Sequence, residues 1–346
     1  MIRKITIGGI VFAFILFCVY VSYLLLYSND ITIDAQELDF ERYLILAEQG
    51  DVYAKIDLAI GYYSIGDFEN AFIWTEILAN LGYPIPQFNL GTLYRDGLGV
   101  SQDLNLAAYW FRKAAEQGEA QSQNSIGLAY LNGLGVNMDY DQALYWFRKA
   151  TEQCNMYSQA NLGRMYYSGL GVAQDFEQAY FWTSRAAEQG EPQSQNSIGL
   201  AYLNGLGVDI DYDQALYWFR KATEQYNMHS QANLGIMYYA GLGVAQNFEQ
   251  AYFWTRKAAE QGEPNSQNDV GTYYFDGKGV AQNYEEAVYW FRKGAESGNI
   301  SAQHNLGLMY YHGIVVPQNL DNAIYWISKA AGQGYQDAQS ILEIIQ

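Results

Sequence analysis

Histidine, cysteine, a recurrent aspartate and a glycine-rich loop are the features of this chain whose types could do chemistry. His304 and His312 lie eight residues apart, about two helical turns, but neither they nor His229 stand at metal-ligand spacing from a cysteine or an acid. Cys18 and Cys154 give neither a disulfide framework nor a cysteine zinc site. Ser-His-Asp and Cys-His arrangements are not legible. Gly-Leu-Gly occurs at 97–99, 133–135, 169–171, 205–207 and 241–243, without the Lys-Ser/Thr that lets a phosphate loop hold its ligand. The acids Asp67, Asp103, Asp139, Asp175 and Asp211 are continued by Asn247, Asn283 and Asn319, always 36 residues on. Asp and Asn exchange freely as helix caps, because either side-chain oxygen can accept a free backbone N–H, but not as catalytic carboxylates. This residue set predicts binding rather than turnover. No enzyme activity, metal, cofactor or small-molecule substrate is expected.

The same ruler sets the aromatic residues. All eight tryptophans (Trp74, Trp110, Trp146, Trp182, Trp218, Trp254, Trp290 and Trp326) are 36 residues apart, the mark of stacked supersecondary units that fill equivalent core slots. Residues 120–154 serve as the type unit. Ile126, Leu128, Ala129 and Tyr130 predict a helix from Ala120 to Asn132, closed by Gly133. A short loop leads to Asp139 as N-cap, with Gln142 three residues on. A second helix then carries Ala143, Trp146, Phe147 and Ala150 on one stripe. Gly91, Gly127, Gly163, Gly199, Gly235, Gly271 and Gly307 fall inside the first helices. An interior helix glycine costs about 1 kcal/mol relative to alanine, so seven in register imply that the paired helix approaches closely.

A 72-residue block is laid over the shorter period: residues 122–153 and 194–225 differ only at Asn137/Asp209 and Met138/Ile210. Odd and even repeats should therefore present two alternating surfaces. Gly118, Gly190, Gly262, Gly298 and Gly334 close second helices. Cys154 and Tyr226 interrupt that series, and Asn155 or Asn227 is expected to take the left-handed turn there.

Small residue, Leu/Ile, Gly, Tyr, Gly-x-Gly-Val, Asp/Asn, Ala, Trp, Ala-Ala and Gly, in that order, closely resemble the Sel-1-like repeat, a relative of the tetratricopeptide repeat. Residues 108–118, Ala-Tyr-Trp-Phe-Arg-Lys-Ala-Ala-Glu-Gln-Gly, match its second helix closely. The resemblance implies an all-α fold, a right-handed α-solenoid of helix-turn-helix repeats, here behind an N-terminal transmembrane helix. The expected organisation is a cytoplasmic tip and signal anchor over 1–29, a linker and capping helix over 30–50, and a tetratricopeptide-like repeat over 51–82. Seven Sel-1-like repeats over 83–336 and a capping helix over 337–346 complete it. Residues 51–82 depart because Ser64-Ile65-Gly66-Asp67 joins their helices directly. The last repeat departs at Val315, which stands where the second loop glycine should be. The family resemblance further implies a non-enzymatic scaffold that holds protein or peptide partners. Envelope signalling, host interaction and immunity against a toxic effector are among the roles it allows.

If the helices are placed as in tetratricopeptide arrays, the first helices line the concave face. Positions counted from each packing glycine then nominate Asn124, Leu128, Leu131, Arg164, Tyr167, Asn196, Leu200, Tyr239, Asn268, Phe275, His304 and Tyr311 as partner-binding residues. Asparagine can bond an extended peptide backbone while Leu, Tyr and Phe supply apolar area. The competing reading is that Leu and Tyr at these positions are partly buried between neighbouring first helices.

Charge and hydropathy place the chain. Ile5 to Tyr27 is a 23-residue run without a charge, long enough for a bilayer core of about 30 Å. Arg3 and Lys4 precede it and acids follow from Asp30, so the positive-inside rule sets the repeats outside the cytosol. The expected location is a single-pass anchor in the inner membrane with the repeats in the periplasm. A cleaved signal and a secreted or periplasmic product is the alternative. The rest of the chain holds 17 basic and 37 acidic residues, which disfavours nucleic acid and anionic lipid. That acidity serves solvation first and a basic protein partner second.

Overall fold

The computed structural model describes residues 40–345; the expected anchor at 1–29 lies outside them. Among the described residues there are eighteen helices and no strands. No described helix is long and apolar enough to cross a membrane. The chain divides into two compact units, up to Ser158 and from Gln159. The first holds α1 (Phe40–Glu48), α2 (Val52–Ser64), α3 (Phe68–Asn80), α4 (Pro84–Asp96), α5 (Leu104–Glu116), α6 (Ala120–Asn132) and α7 (Tyr140–Glu152). Helix α8 (Met156–Ser168) runs across the division. The second unit continues with α9 (Phe176–Glu188), α10 (Pro192–Asn204), α11 (Tyr212–Glu224), α12 (Met228–Ala240), α13 (Phe248–Glu260) and α14 (Pro264–Asp276). It ends with α15 (Tyr284–Glu296), α16 (Ile300–His312), α17 (Leu320–Gly332) and α18 (Gln336–Ile345).

The regularity follows from repeated local chemistry. Every residue of the predicted cap series accepts a backbone N–H at the start of a second helix, as Asp139 does from Gln142 and Asn247 from Gln250. The first helices have caps that the sequence reading missed. Glu119, Glu191 and Glu263 hold the first turns of α6, α10 and α14, while Asn227 and Asn299 hold α12 and α16. The expectation for Asn155 and Asn227 is thereby corrected. Cys154 and Tyr226 themselves take the left-handed conformation, at φ 58° and 59°. Asn155 and Asn227 are needed as caps, accepting from the amides of Ser158 and Ser230.

The packing glycines do what their register implies. A Cβ on Gly127 would lie 2.6 Å from Phe147, and one on Gly199 2.5 Å from Phe219. Phe147 and Phe219 are fully buried, each stabilising its hairpin by about 1.5–3 kcal/mol. In the alternate hairpins of the second unit, Thr183 and Thr255 take that place against Gly163 and Gly235. From Trp110 onward the tryptophans alternate with the same period. Trp146, Trp218 and Trp290 are buried in equivalent pockets. Each is closed by an alanine of the preceding second helix (Ala115, Ala187, Ala259) and an aliphatic residue of its own first helix (Ile126, Ile198, Val270). Trp74, Trp110, Trp182, Trp254 and Trp326 are only half-buried, so the core reading of the series is complete for Trp146, Trp218 and Trp290 alone.

Glutamine forms a further ladder. Gln153 Nε2 donates to Gln123 Oε1 at 3.0 Å, and the same bond, 30 residues apart, joins Gln189 to Gln159, Gln225 to Gln195, Gln261 to Gln231 and Gln333 to Gln303. Inner glutamines of the ladder reach back to a second-helix carbonyl, as Gln195 does to Ala187. Buried amides are tolerated where they are paired.

Candidate functional site

In the second unit, first helices of neighbouring hairpins touch one another, α10 against α12 and α14 against α16. The nominated residues on them divide into two groups. Asn196 is buried and accepts from Ser230 Oγ at 2.8 Å and Asn233 Nδ2 at 3.0 Å. In the first unit, Asn124 is buried and accepts from Ser158 Oγ at 3.0 Å. Asn268 accepts from Asn305 at 3.0 Å. These amides bolt one hairpin to the next. Leu131 and His304 are also buried, the latter against the ring of Tyr335. Asn124, Leu131, Asn196 and His304 therefore lack the exposure that their nomination as groove-facing contacts required. Burial between first helices removes them, and the periodicity could not show this because a position equally distant from the glycine is exposed in one repeat and covered in the next. Leu128, Leu200, Asn268, Phe275 and Tyr311 are half-buried. Arg164, Tyr167 and Tyr239 are exposed, the two tyrosines at 50% and 42%. His304 and His312 share no site, since His312 is exposed and stacks edge-on with Tyr311.

The exposed residues lead to a cleft of about 210 Å³ between α12 and α14, lined by Ile236, Tyr239, Asp269, Tyr273, Asp276 and Lys278, with two threonines. Its wall is aromatic. Tyr239 meets Phe248 edge-on at 5.4 Å and Tyr273 at 6.1 Å, and Tyr273 meets Tyr252 at 6.0 Å. Lys278 Nζ donates to Tyr239 Oη at 3.1 Å and lies 5.2 Å from the centroids of the Tyr239 and Phe248 rings. Burial pushes the Tyr273 phenol up to about 12. Burial also raises the Asp269 carboxyl above its ordinary range; Asn268 opposes this by donating a hydrogen bond, and Glu263 reinforces it. The cleft thus combines flat apolar area with charges of both signs, an arrangement suited to recognition. Its residues present no nucleophile paired with a base.

A second exposed row, on the second helices, was overlooked in the sequence. Tyr217, Phe253, Tyr289 and Tyr325 immediately precede the tryptophans and meet them edge-on at 5.0–5.3 Å. Lys221, Lys257, Lys293 and Lys329 cover these aromatic pairs. The signal was present as an aromatic residue before every tryptophan from Trp110 onward. Lysines cover these rings from within the chain, as Lys278 covers Tyr239 in the first-helix cleft.

Comparison with known proteins accounts for this architecture. The Sel1 repeat family matches seven consecutive segments, 87–119, 120–153, 157–191, 192–227, 229–263, 264–299 and 300–335. A protective antigen of uropathogenic Escherichia coli displaying an SLR fold is 35% identical, with a TM-score of 0.76 over 89% of this chain and 67% of its own. A Sel1 repeat protein from Oxalobacter formigenes is 30% identical, with a TM-score of 0.70 over 93% of this chain and 99% of its own. A chitin synthase regulator of Saccharomyces cerevisiae is 33% identical over 95 residues, and the match spans 14% of that protein's length. With more than half of its length in seven matched repeats and stacked helical hairpins of that fold, the chain belongs to the Sel1 repeat family, whose fold serves protein–protein interaction.

Proposed function

We propose that this chain is a non-enzymatic scaffold that grips a protein or peptide on the first-helix face of its second unit. The observation that carries the reading is the cleft between α12 and α14, where exposed Ile236 and Tyr239 converge with charged residues beside an aromatic wall. Large aromatic side chains with few rotatable bonds supply contact area at small entropic cost. The uncharged run from Ile5 to Tyr27 supports tethering to a bacterial inner membrane with the repeats in the periplasm. The excess of acids after Asp30 favours a basic partner.

Photo-crosslinking in intact membranes tests the reading. A photoreactive side chain at Ile236 of the full chain should trap a partner, and one at Tyr109 on a second helix should not. Alanine at Tyr167 and Tyr239 together should weaken capture while helicity stays unchanged. Capture from Tyr109 alone would reject the face. Trapping of one tightly held basic effector would make the protein an immunity factor that works through the same surface. Retention of the chain in membranes after an alkaline wash checks the tether.

A further inference from the structure

The array carries its own control, because each position can be compared with its counterparts in sister repeats. Aligned on the packing glycine, the repeat formed by α14 and α15 departs from the other six Sel1 repeats at three places that bear on the cleft, besides others outside its lining such as Val270, Glu286, Gly294 and Ser297. Two residues before the glycine the others carry Asn or Ser, and this repeat carries Asp269. Two residues after it the others carry Leu, Ala or Met, and this repeat carries Tyr273. In the loop the others carry Leu or Ile between the flanking positions, and this repeat carries Lys278. All three departures line the same cleft, beside Tyr239.

Their chemistry is complementary to a cation. Tyr239 already has an ammonium seated against its ring, that of Lys278, so the aromatic face demonstrably accepts one. Asp269 has no ion-pair partner among the described residues. Its hydrogen bond comes from the neutral amide of Asn268 at 3.2 Å, and the nearby acid Glu263 adds repulsion. Asp276 lies two helical turns further along the same helix, at the end of α14, and also lacks an ion pair among the described residues. Two carboxylates and one ammonium leave the cleft with an excess negative charge.

We propose that this cleft is a receptor for one arginine side chain of the partner, with Asp269 as its carboxylate anchor and the Tyr239 ring as its stacking face. A guanidinium is planar and weakly hydrated, so it can stack on a phenol ring and pair with a carboxylate at once, which an ammonium does less well. Lys278 acts as an internal competitor that covers the ring until the guanidinium displaces it. The assignment rests on the scaffold reading for its biological meaning and on the cleft alone for its chemistry.

The test uses the full chain in detergent at about 0.15 M salt, where long-range attraction to an acidic protein is screened. The probes are blocked tripeptides, Gly-Arg-Gly, Gly-Lys-Gly and Gly-Gln-Gly, titrated calorimetrically. Asp269→Asn and Lys278→Leu each restore a residue type that sister repeats carry, so folding is retained and is checked by circular dichroism. The arginine tripeptide should bind best, Asp269→Asn should weaken it about tenfold and Lys278→Leu should strengthen it about threefold. Asp213→Asn and Asp321→Asn remove the same charge elsewhere and should leave affinity unchanged. Equal affinity for the glutamine or lysine tripeptide overturns the assignment, as does an Asp269→Asn effect no larger than that of the control variants. If Ile236 traps a protein partner but the arginine tripeptide never binds, the receptor fails and the scaffold stands. If the tripeptide binds and no position on the first-helix face traps a partner, the scaffold reading fails and the receptor stands.

Discussion

Ser297 stands where the next repeat has Gln333, and Gln267, 30 residues before it, is the one ladder glutamine with a buried Oε1 that finds no donor among the described residues. In the next rung Gln333 Nε2 donates to Gln303 Oε1 at 2.8 Å. Ser297→Gln should therefore complete the ladder and raise the stability of the second unit by about 1 kcal/mol. Urea unfolding measures this; an unchanged midpoint would show that Gln267 is already satisfied.

Gly199→Ala sets two principles against each other. Helix propensity favours alanine by about 1 kcal/mol, but the new methyl would lie 2.5 Å from the buried Phe219 ring, and overpacking of that kind costs about 1–3 kcal/mol. The clash should win and the variant should lose stability. Gly332→Ala, at the open end of α17 where no atom approaches within 4 Å, should gain it. Opposite shifts in thermal midpoint are the expected result.

Val315 holds φ 63°, a left-handed conformation that a β-branched side chain adopts only under strain, at the position where the other Sel1 repeats have glycine. Val315→Gly should stabilise the last hairpin by about 1–2 kcal/mol. Slower amide exchange in α16 and α17 would register it, and faster exchange would contradict it.

A half-buried carboxyl and a buried imidazole should give the units opposite pH slopes. Burial, reinforced by Asp51, raises Asp57 in the first unit from 3.8 to about 6. The folded state then holds the proton more tightly, so this group favours folding below pH 3.8 and loses that contribution as pH rises through 6. Asp57→Asn should accordingly raise the melting temperature at pH 7.5 and leave it unchanged at pH 3.5. In the second unit burial lowers His304 below 6.5, against the attraction of Asp337. That contribution is present above pH 6.5 and is lost as pH falls through the folded value. His304→Asn, the residue type of Asn196 and Asn268, should flatten the acid limb of the second unit.

Asn196→Ala should destabilise the second unit, because it leaves the donors Ser230 Oγ and Asn233 Nδ2 without their shared acceptor. A loss of about 1–3 kcal/mol is expected for the buried group, and Ser230→Ala in the same background should then change little. Additive losses would show the two are not coupled.

Much of the hairpin architecture was legible in residue order, because it is set by local chemistry that recurs. The Asp/Asn caps, the glycines at the helix ends and the tryptophan ruler each act within one hairpin or its neighbour, and they predicted the bounds of α6 to the residue. Even the alternation of Phe147 with Thr183 was present as a 72-residue period. What the order of residues could not reveal was which of two equivalent positions is covered. Asn196 and Tyr239 are both counted from a packing glycine, yet one is sealed by Ser230 and the other stays half-open beside Lys278. Exposure is a property of packing between helices that lie far apart along the chain, where the side chains of one repeat decide what the next may show. Only the tertiary structure brings Asp269, Tyr273 and Lys278 to the Tyr239 ring and turns three single departures from the repeat into one cleft.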